Sequence, residues 1–189
     1  MSPNEGTVSA LSGRRIVLGV CGSIAAYKAA YLASSLTKAG AEVDTILTAA
    51  AQRFVTALTF QSVTGRPART DEDLWSADGH VVHVGLGEGA ELLVIAPATA
   101  TTLAKMAAGI AEGLLGLTYL AARCPVLVAP AMDGGMWTHP ATQANVASLI
   151  ERGVQVIGPA EGHLASGLEG PGRMAEPEEI FTRLEAELG

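Results

Sequence analysis

Four short segments of the chain place small or hydroxyl-bearing residues where an apolar run gives way to a helical pattern: Cys21-Gly22-Ser23, Thr48, Pro97-Ala98-Thr99-Ala100 and Pro130-Ala131-Met132. Glycine and serine at a strand-to-helix turn expose backbone N–H groups at the positive end of a helix, which favours a phosphate. The same residues also read as a plain tight turn with Ser23 as N-cap. The spacing of Gly19 and Gly22 is not the GxGxxG fingerprint, and no Walker lysine follows. Two residues could do acid–base or charge work. His83 carries an imidazole, a group that in neutral form can accept a proton, and Asp133 stands where the run CPVLVA breaks into the glycine-rich turn PAMDGGMWTHP.

These residues need a scaffold that brings them to one edge. RRIVLGV (14–20), AEVDTILT (41–48), ELLVIAP (91–97), PVLVAPAM (125–132) and VQVIGPA (154–160) read as strands of a parallel sheet covered on both faces. Helical patterns alternate with them: 21–40, 49–65, one long helix over 99–122, 138–153 and the amphipathic 177–188. The segment 66–89 is polar and reads as irregular. Strict alternation predicts an α/β fold with right-handed crossovers and a ligand in the crevice outside the carboxyl ends of the strands. The small and hydroxyl residues all fall at such ends. They suit a flat ring system carrying one phosphate, so a mononucleotide is expected, and FMN is the first to consider.

Composition narrows the partners. The 189 residues suffice for one sizeable core, and no linker divides them. A single domain over 14–189 behind a disordered tail, 1–13, is the expectation. Only 16% of residues are charged, against roughly 25% in an average domain, so much surface is expected to lie against further copies of the chain. Net charge −7 without a Lys/Arg cluster argues against nucleic acid. No basic amphipathic face addresses a membrane, and no uninterrupted apolar run of about 20 residues spans one. Cys21 and Cys124, with no signal peptide in the polar N-terminal stretch, indicate free thiols and a cytoplasmic location. No metal site is expected.

The segments GVCGSIAAYK, HVGL, ELLVIAPATATTLAKMAAGIAEGLL, PVLVAPAMDGGMWTHPATQANV and GHLASGLEGPGRMAEPEEI follow one another between about Arg14 and Ile180. In order and spacing they resemble the homo-oligomeric flavin-containing cysteine decarboxylases. That family includes phosphopantothenoylcysteine decarboxylases of coenzyme A synthesis and decarboxylases of C-terminal cysteines in ribosomal peptide natural products. The resemblance implies FMN, a flavodoxin-like (Rossmann-like) sheet with helices on both faces, a trimer or dodecamer, and a site at a subunit interface. It also implies the chemistry: a carboxylate on an sp³ carbon has no electron sink until oxidised flavin converts the cysteine thiol carbon to a thioaldehyde, after which loss of carbon dioxide gives an enethiol.

Individual residues take roles from the resemblance. His83 matches the family's catalytic histidine, although by itself it reads as a loop histidine; His80 is its exposed competitor, and His139 and His163 read as a helix N-terminal and a loop residue. Gly22, Ser23, Thr48, Pro97, Ala98, Thr99, Ala100 and Met132 are expected around the cofactor, and Met136, Trp137 and Ser166 around the substrate. Lys105 and Glu112 are expected to be structural or interfacial, and Gly162 to Met174 a clamp over the substrate. Three positions depart from the family. Thr101 replaces an Asn. Asp133 replaces an Asn thought to hold the substrate carboxylate, and two like charges about 4 Å apart would cost roughly 4 kcal/mol at an effective dielectric near 20. Asp133, expected beside His83 as the second catalytic residue, is therefore protonated, points elsewhere, or leaves the substrate carboxylate to be held differently. Ser166 replaces the cysteine thought to serve reduction of the enethiol, and serine is a far weaker acid. Together with the solitary domain, this leans toward decarboxylation of a peptidyl C-terminal cysteine with release of an enethiol. The alternatives are a phosphopantothenoylcysteine decarboxylase and a non-catalytic flavin-binding partner subunit.

Overall fold

A computed structural model describes residues 9–75, 81–163, 167 and 169–189. Of the expected tail, residues 9–13 form a turn that carries Leu11 into the core, fully buried, with the Ser9 hydroxyl donating to Glu185 Oε1 at 2.7 Å.

Six strands form one parallel sheet: β1 (Arg15–Val20), β2 (Glu42–Leu47), β3 (Ala68–Arg69), β4 (Leu92–Ala98), β5 (Val126–Pro130) and β6 (Gln155–Val156), in the order β3-β2-β1-β4-β5-β6. Without the two-residue edge strand β3, this is the flavodoxin-like order, reversing between β1 and β4. Every residue of β4 is buried, as a central parallel strand requires. Alternation of side chains sends Ile16, Leu18 and Val20 to one face and Val17 and Cys21 to the other. The first face is covered by α1 (Ala26–Lys38), α2 (Ala57–Thr64) and the closing α8 (Pro177–Leu188). The second is covered by α3 (Val82–Gly89), α4 (Ala100–Ala108), α5 (Gly113–Ala121) and α7 (Pro140–Glu151), with the short α6 (Gly134–Thr138) before it. An antiparallel hairpin, β7 (Ala160–His163) with β8 (Glu169–Arg173), stands apart from the sheet.

Two expectations are corrected. The single long helix over 99–122 is two, because Gly109 ends α4 at φ 67°, a left-handed stop that glycine takes without steric cost, and Gly113 restarts the chain at φ 72°. The polar segment 66–89 is not irregular throughout: it holds β3, a 3₁₀ turn at Asp71–Trp75 and α3. No single helix among the described residues is long and apolar enough to cross a membrane, and the α4–α5 pair is bent by 45°.

Candidate active site

Two cavities adjoin at the carboxyl ends of the strands. The first, about 690 Å³, opens where the sheet order reverses and is walled by the loops after β1, β2 and β4, by α4 and α5, and by Met132 and Met136. Gly22 allows those loops to meet, since a Cβ on it would sit 2.5 Å from the Ala50 Cβ. Ser23 Oγ accepts the Ala25 N–H at 3.2 Å, and Thr48 Oγ accepts the Ala51 N–H, also at 3.2 Å. Ser23 thus makes a turn ahead of α1, whose N-cap is Ala25. A hydroxyl that accepts a backbone N–H keeps its own O–H as a donor, so both can donate to an anion in the cavity. Thr99 caps α4 through the Thr102 N–H at 3.3 Å. The Thr102 hydroxyl donates to Cys21 Sγ at 3.2 Å. Burial pushes the Cys21 thiol up, against smaller opposing effects from Thr102 and the Thr99 backbone. Buried and held by Thr102, it forms part of the cavity wall.

The second cavity, about 700 Å³, shares Ser23, Ile24, Ala131 and Met132 with the first and is otherwise lined by α1, Asp133 and the hairpin. Its polar side chains include Lys28, Asp133, His163 and Arg173. Lys28 is 9% exposed, and its Nζ lies 2.7 Å from Glu176 Oε1, which also takes Arg173 Nη2 at 3.2 Å. A nearly buried ammonium needs such a partner. His163 Nε2 lies 3.0 Å from Glu169 Oε1 across the hairpin.

The expected site residues divide. Gly22, Ser23, Thr48, Thr99, Ala100, Met132 and Met136 line the first cavity. Pro97 and Ala98 line neither: they are buried in β4, where their carbonyls accept the Cys21 and Ala131 N–H groups at 3.2 and 3.0 Å and so join the strand ends. Trp137 likewise lines neither, because it turns inward and packs on the core under α7. Asp133 faces the second cavity, and its Oδ1 caps α6 by accepting the Gly135 N–H at 2.9 Å. His83 is half-buried on α3, not in a loop, and lines neither cavity of its own chain. The reason is packing: α3 is fastened to α5 through Gly87, where a Cβ would meet Ala121 and the Thr118 carbonyl at 2.8 Å. His139 does cap α7, its Nδ1 accepting the Ala141 N–H. Ser166 and His80 lie outside the described residues.

A family profile described as Flavoprotein matches residues 6–189. The chain belongs to the flavoprotein family. It is 51% identical over 169 residues to a coenzyme A biosynthesis bifunctional protein CoaBC of Mycolicibacterium smegmatis, covering 89% of this chain and 40% of that protein. To the CoaBC of Vibrio vulnificus it is 45% identical, covering 93% and 44%. The chain therefore spans less than half the length of these curated relatives. Among solved structures, a PPC decarboxylase variant complexed with pantothenoylaminoethenethiol superposes with TM-score 0.84 at 35% identity, over 92% of this chain and 97% of that one. The FMN-dependent cysteine decarboxylase SpaF superposes with TM-score 0.82 at 37% identity, over 94% and 97%. The fold and the family resemblance are borne out.

In the second cavity of this flavoprotein, sequence reasoning names Ser23, Met132, Asp133 and the Gly162 to Met174 segment, but it passes over Lys28 and does not single out Arg173. Lys28 was legible in one respect: it interrupts the apolar stripe Ala26, Ala29, Leu32, Ala33 and Leu36 of α1, where an unpaired ammonium would be costly. Arg173 carries no such signal, since only the hairpin's return brings it to α1.

Proposed function

We propose that this chain is an FMN-dependent cysteine decarboxylase whose cofactor occupies the first cavity and whose substrate occupies the second, and that the substrate is phosphopantothenoylcysteine. The observation that carries this is the adjacency of the two cavities across Ser23, Ile24, Ala131 and Met132. A walled space of small residues and hydroxyls meets one furnished with cations. Relatives near 50% identity named for coenzyme A biosynthesis support the phosphopantothenoyl substrate over the peptidyl one toward which the sequence leaned.

The first cavity fits the cofactor: Gly22 brings backbone close, Ser23 and Thr48 offer O–H donors to a phosphate, and Thr99 to Thr102 with Met132 and Met136 leave room for a ring. FMN, when bound, supplies the oxidising power that makes the cysteine carbon an electron sink for decarboxylation. In the second cavity Lys28 and Arg173 attract the anionic groups of the substrate, and the hairpin supplies one wall. The Asp133 carboxylate caps α6 through Oδ1, so in this reading the substrate carboxylate is held by the cations and not by that side chain. His83 takes the thiol proton, and because it lies off both cavities of its own chain it serves the site of a neighbouring copy. Exposed Ile24, Tyr27, Tyr31 and Phe54 beside the cavities provide apolar surface for that copy.

The test is mass spectrometry after incubating the FMN-loaded protein with phosphopantothenoylcysteine and with a short peptide ending in cysteine. Loss of carbon dioxide from the first alone is expected. Turnover of the peptide alone, by loss of carbon dioxide and two hydrogens, would restore the peptidyl reading, and turnover of neither would favour a non-catalytic flavin-binding subunit.

A further inference from the structure

The first cavity carries charges that its hydroxyl-rich wall does not require. Its charged lining groups are Asp71, Lys105 and Glu112, so among the described residues Lys105 is the single cation there. Lys105 lies on α4 three and four positions after Thr102 and Thr101, hence on the same helix face. Its Nζ reaches 2.6 Å to Glu112 Oε2 across the break between α4 and α5, so the ammonium is restrained at the cavity wall. Asp71 is already engaged: its Oδ1 accepts the Leu114 N–H at 2.8 Å and closes the first turn of α5. Two acids and one base make a poor phosphate site, and Gly22, Ser23 and Thr48 supply a neutral, donor-rich one.

A restrained cation has a different use beside a redox ring. When the cysteine β C–H bond breaks and its proton and electron pair pass to the ring, while the thiol proton goes to a base and the S–H electrons form C=S, the ring gains one negative charge. A fixed positive charge in a cavity favours that form over the oxidised one. We infer that Lys105, restrained by Glu112 across the α4–α5 break, is the residue that sets the reduction potential of FMN in the first cavity. The inference rests on the FMN reading above. Glu112 offsets part of the charge, so the two side chains act in opposite directions.

The experiment measures the midpoint potential of bound flavin during slow enzymatic reduction against a reference dye, together with the affinities for oxidised and reduced FMN. Lys105→Met is expected to lower the ratio of reduced to oxidised affinity about fivefold, about 20 mV more negative for a two-electron couple; the size is modest because the Lys105 side chain is 37% exposed. Glu112→Gln should move the potential the other way, and Lys105→Arg should hold it. An unmoved potential in Lys105→Met overturns the inference. Equal loss of both affinities does so too, placing Lys105 on the phosphate. A shift of the same sign in Lys105→Met and Glu112→Gln also overturns it, leaving the pair a brace for the helix break. Should Lys105→Met fail to fold, the signs in Glu112→Gln and Lys105→Arg still decide. Failure of the wild-type protein to bind FMN overturns the cofactor reading as well, whereas a bound flavin indifferent to these charges overturns this inference alone.

Discussion

The two ends of the sheet are furnished in opposite ways. At the amino end, Asp44, with its side chain 10% exposed, receives Arg15 Nε at 2.9 Å and Arg66 Nε at 2.8 Å, and Arg66 also reaches Glu42 at 3.2 Å. Beside them Arg14 pairs with Glu91 at 2.6 Å, and the Arg15 N–H foremost, with the Arg14 guanidinium, holds the Glu91 carboxyl below its usual range. Charges there satisfy one another and tie β1, β2 and β4 together. At the carboxyl end the residues following those strands are small or hydroxylic, the O–H groups of Ser23 and Thr48 remain available as donors, and two cavities open. Parallel strands need closing at both ends. Closing one with ion pairs leaves the other to be shaped for a ligand.

The contrast can be broken or sharpened by substitution. Largest of all should be His83→Asn, with turnover lowered about 10²- to 10⁴-fold and no change in thermal midpoint; steady-state assay beside thermal unfolding separates the two. At the opposite end, Asp44→Ala should cost about 2 kcal/mol of stability, less than for a fully buried pair because both arginines are a third exposed. Activity per folded molecule should persist, and a urea midpoint would report the loss. A fall in turnover without destabilisation would erase the distinction between the ends. Lys28→Gln should raise KM for phosphopantothenoylcysteine about tenfold, the scale of one charge-assisted hydrogen bond, with a smaller effect on the dephosphorylated substrate. Asp133→Asn should be nearly silent in stability, within about 0.5 kcal/mol, since Asn and Asp cap helices alike, and calorimetry checks it.

What could be read from the chain follows the range of the interactions. Strand-to-helix turns are local, so the wall formed by Gly22, Ser23, Thr48 and Thr99 to Thr102 was visible from residue type and position. Most helices were equally visible, but α3, in the segment read as irregular, was not, and neither was the α4–α5 break, because Gly109 within an alanine- and leucine-rich run competes with strong helix propensity and only its left-handed φ decides. Trp137 shows the converse: its motif neighbours Met132 and Met136 reach the cavity while its ring turns to the core. In the second cavity Asp133 and the Gly162 to Met174 segment were visible, but the part played by Lys28 was not, because the cavity joins α1 to a hairpin some 145 positions later; Lys28 and Glu176 are 148 residues apart in sequence. His83 matched a motif, yet its place off both cavities of its own chain could not be inferred from spacing, since the packing of α3 on α5 sets it.

The most direct test of adjoining cofactor and substrate cavities is a difference absorbance titration of the FMN-loaded protein with the unreactive serine counterpart of phosphopantothenoylcysteine, in wild type and in Lys28→Gln. The account predicts a saturable perturbation of the flavin bands, with its midpoint moved to higher concentration in the variant. Binding that leaves the flavin spectrum untouched, or midpoints that coincide in the two proteins, would contradict it.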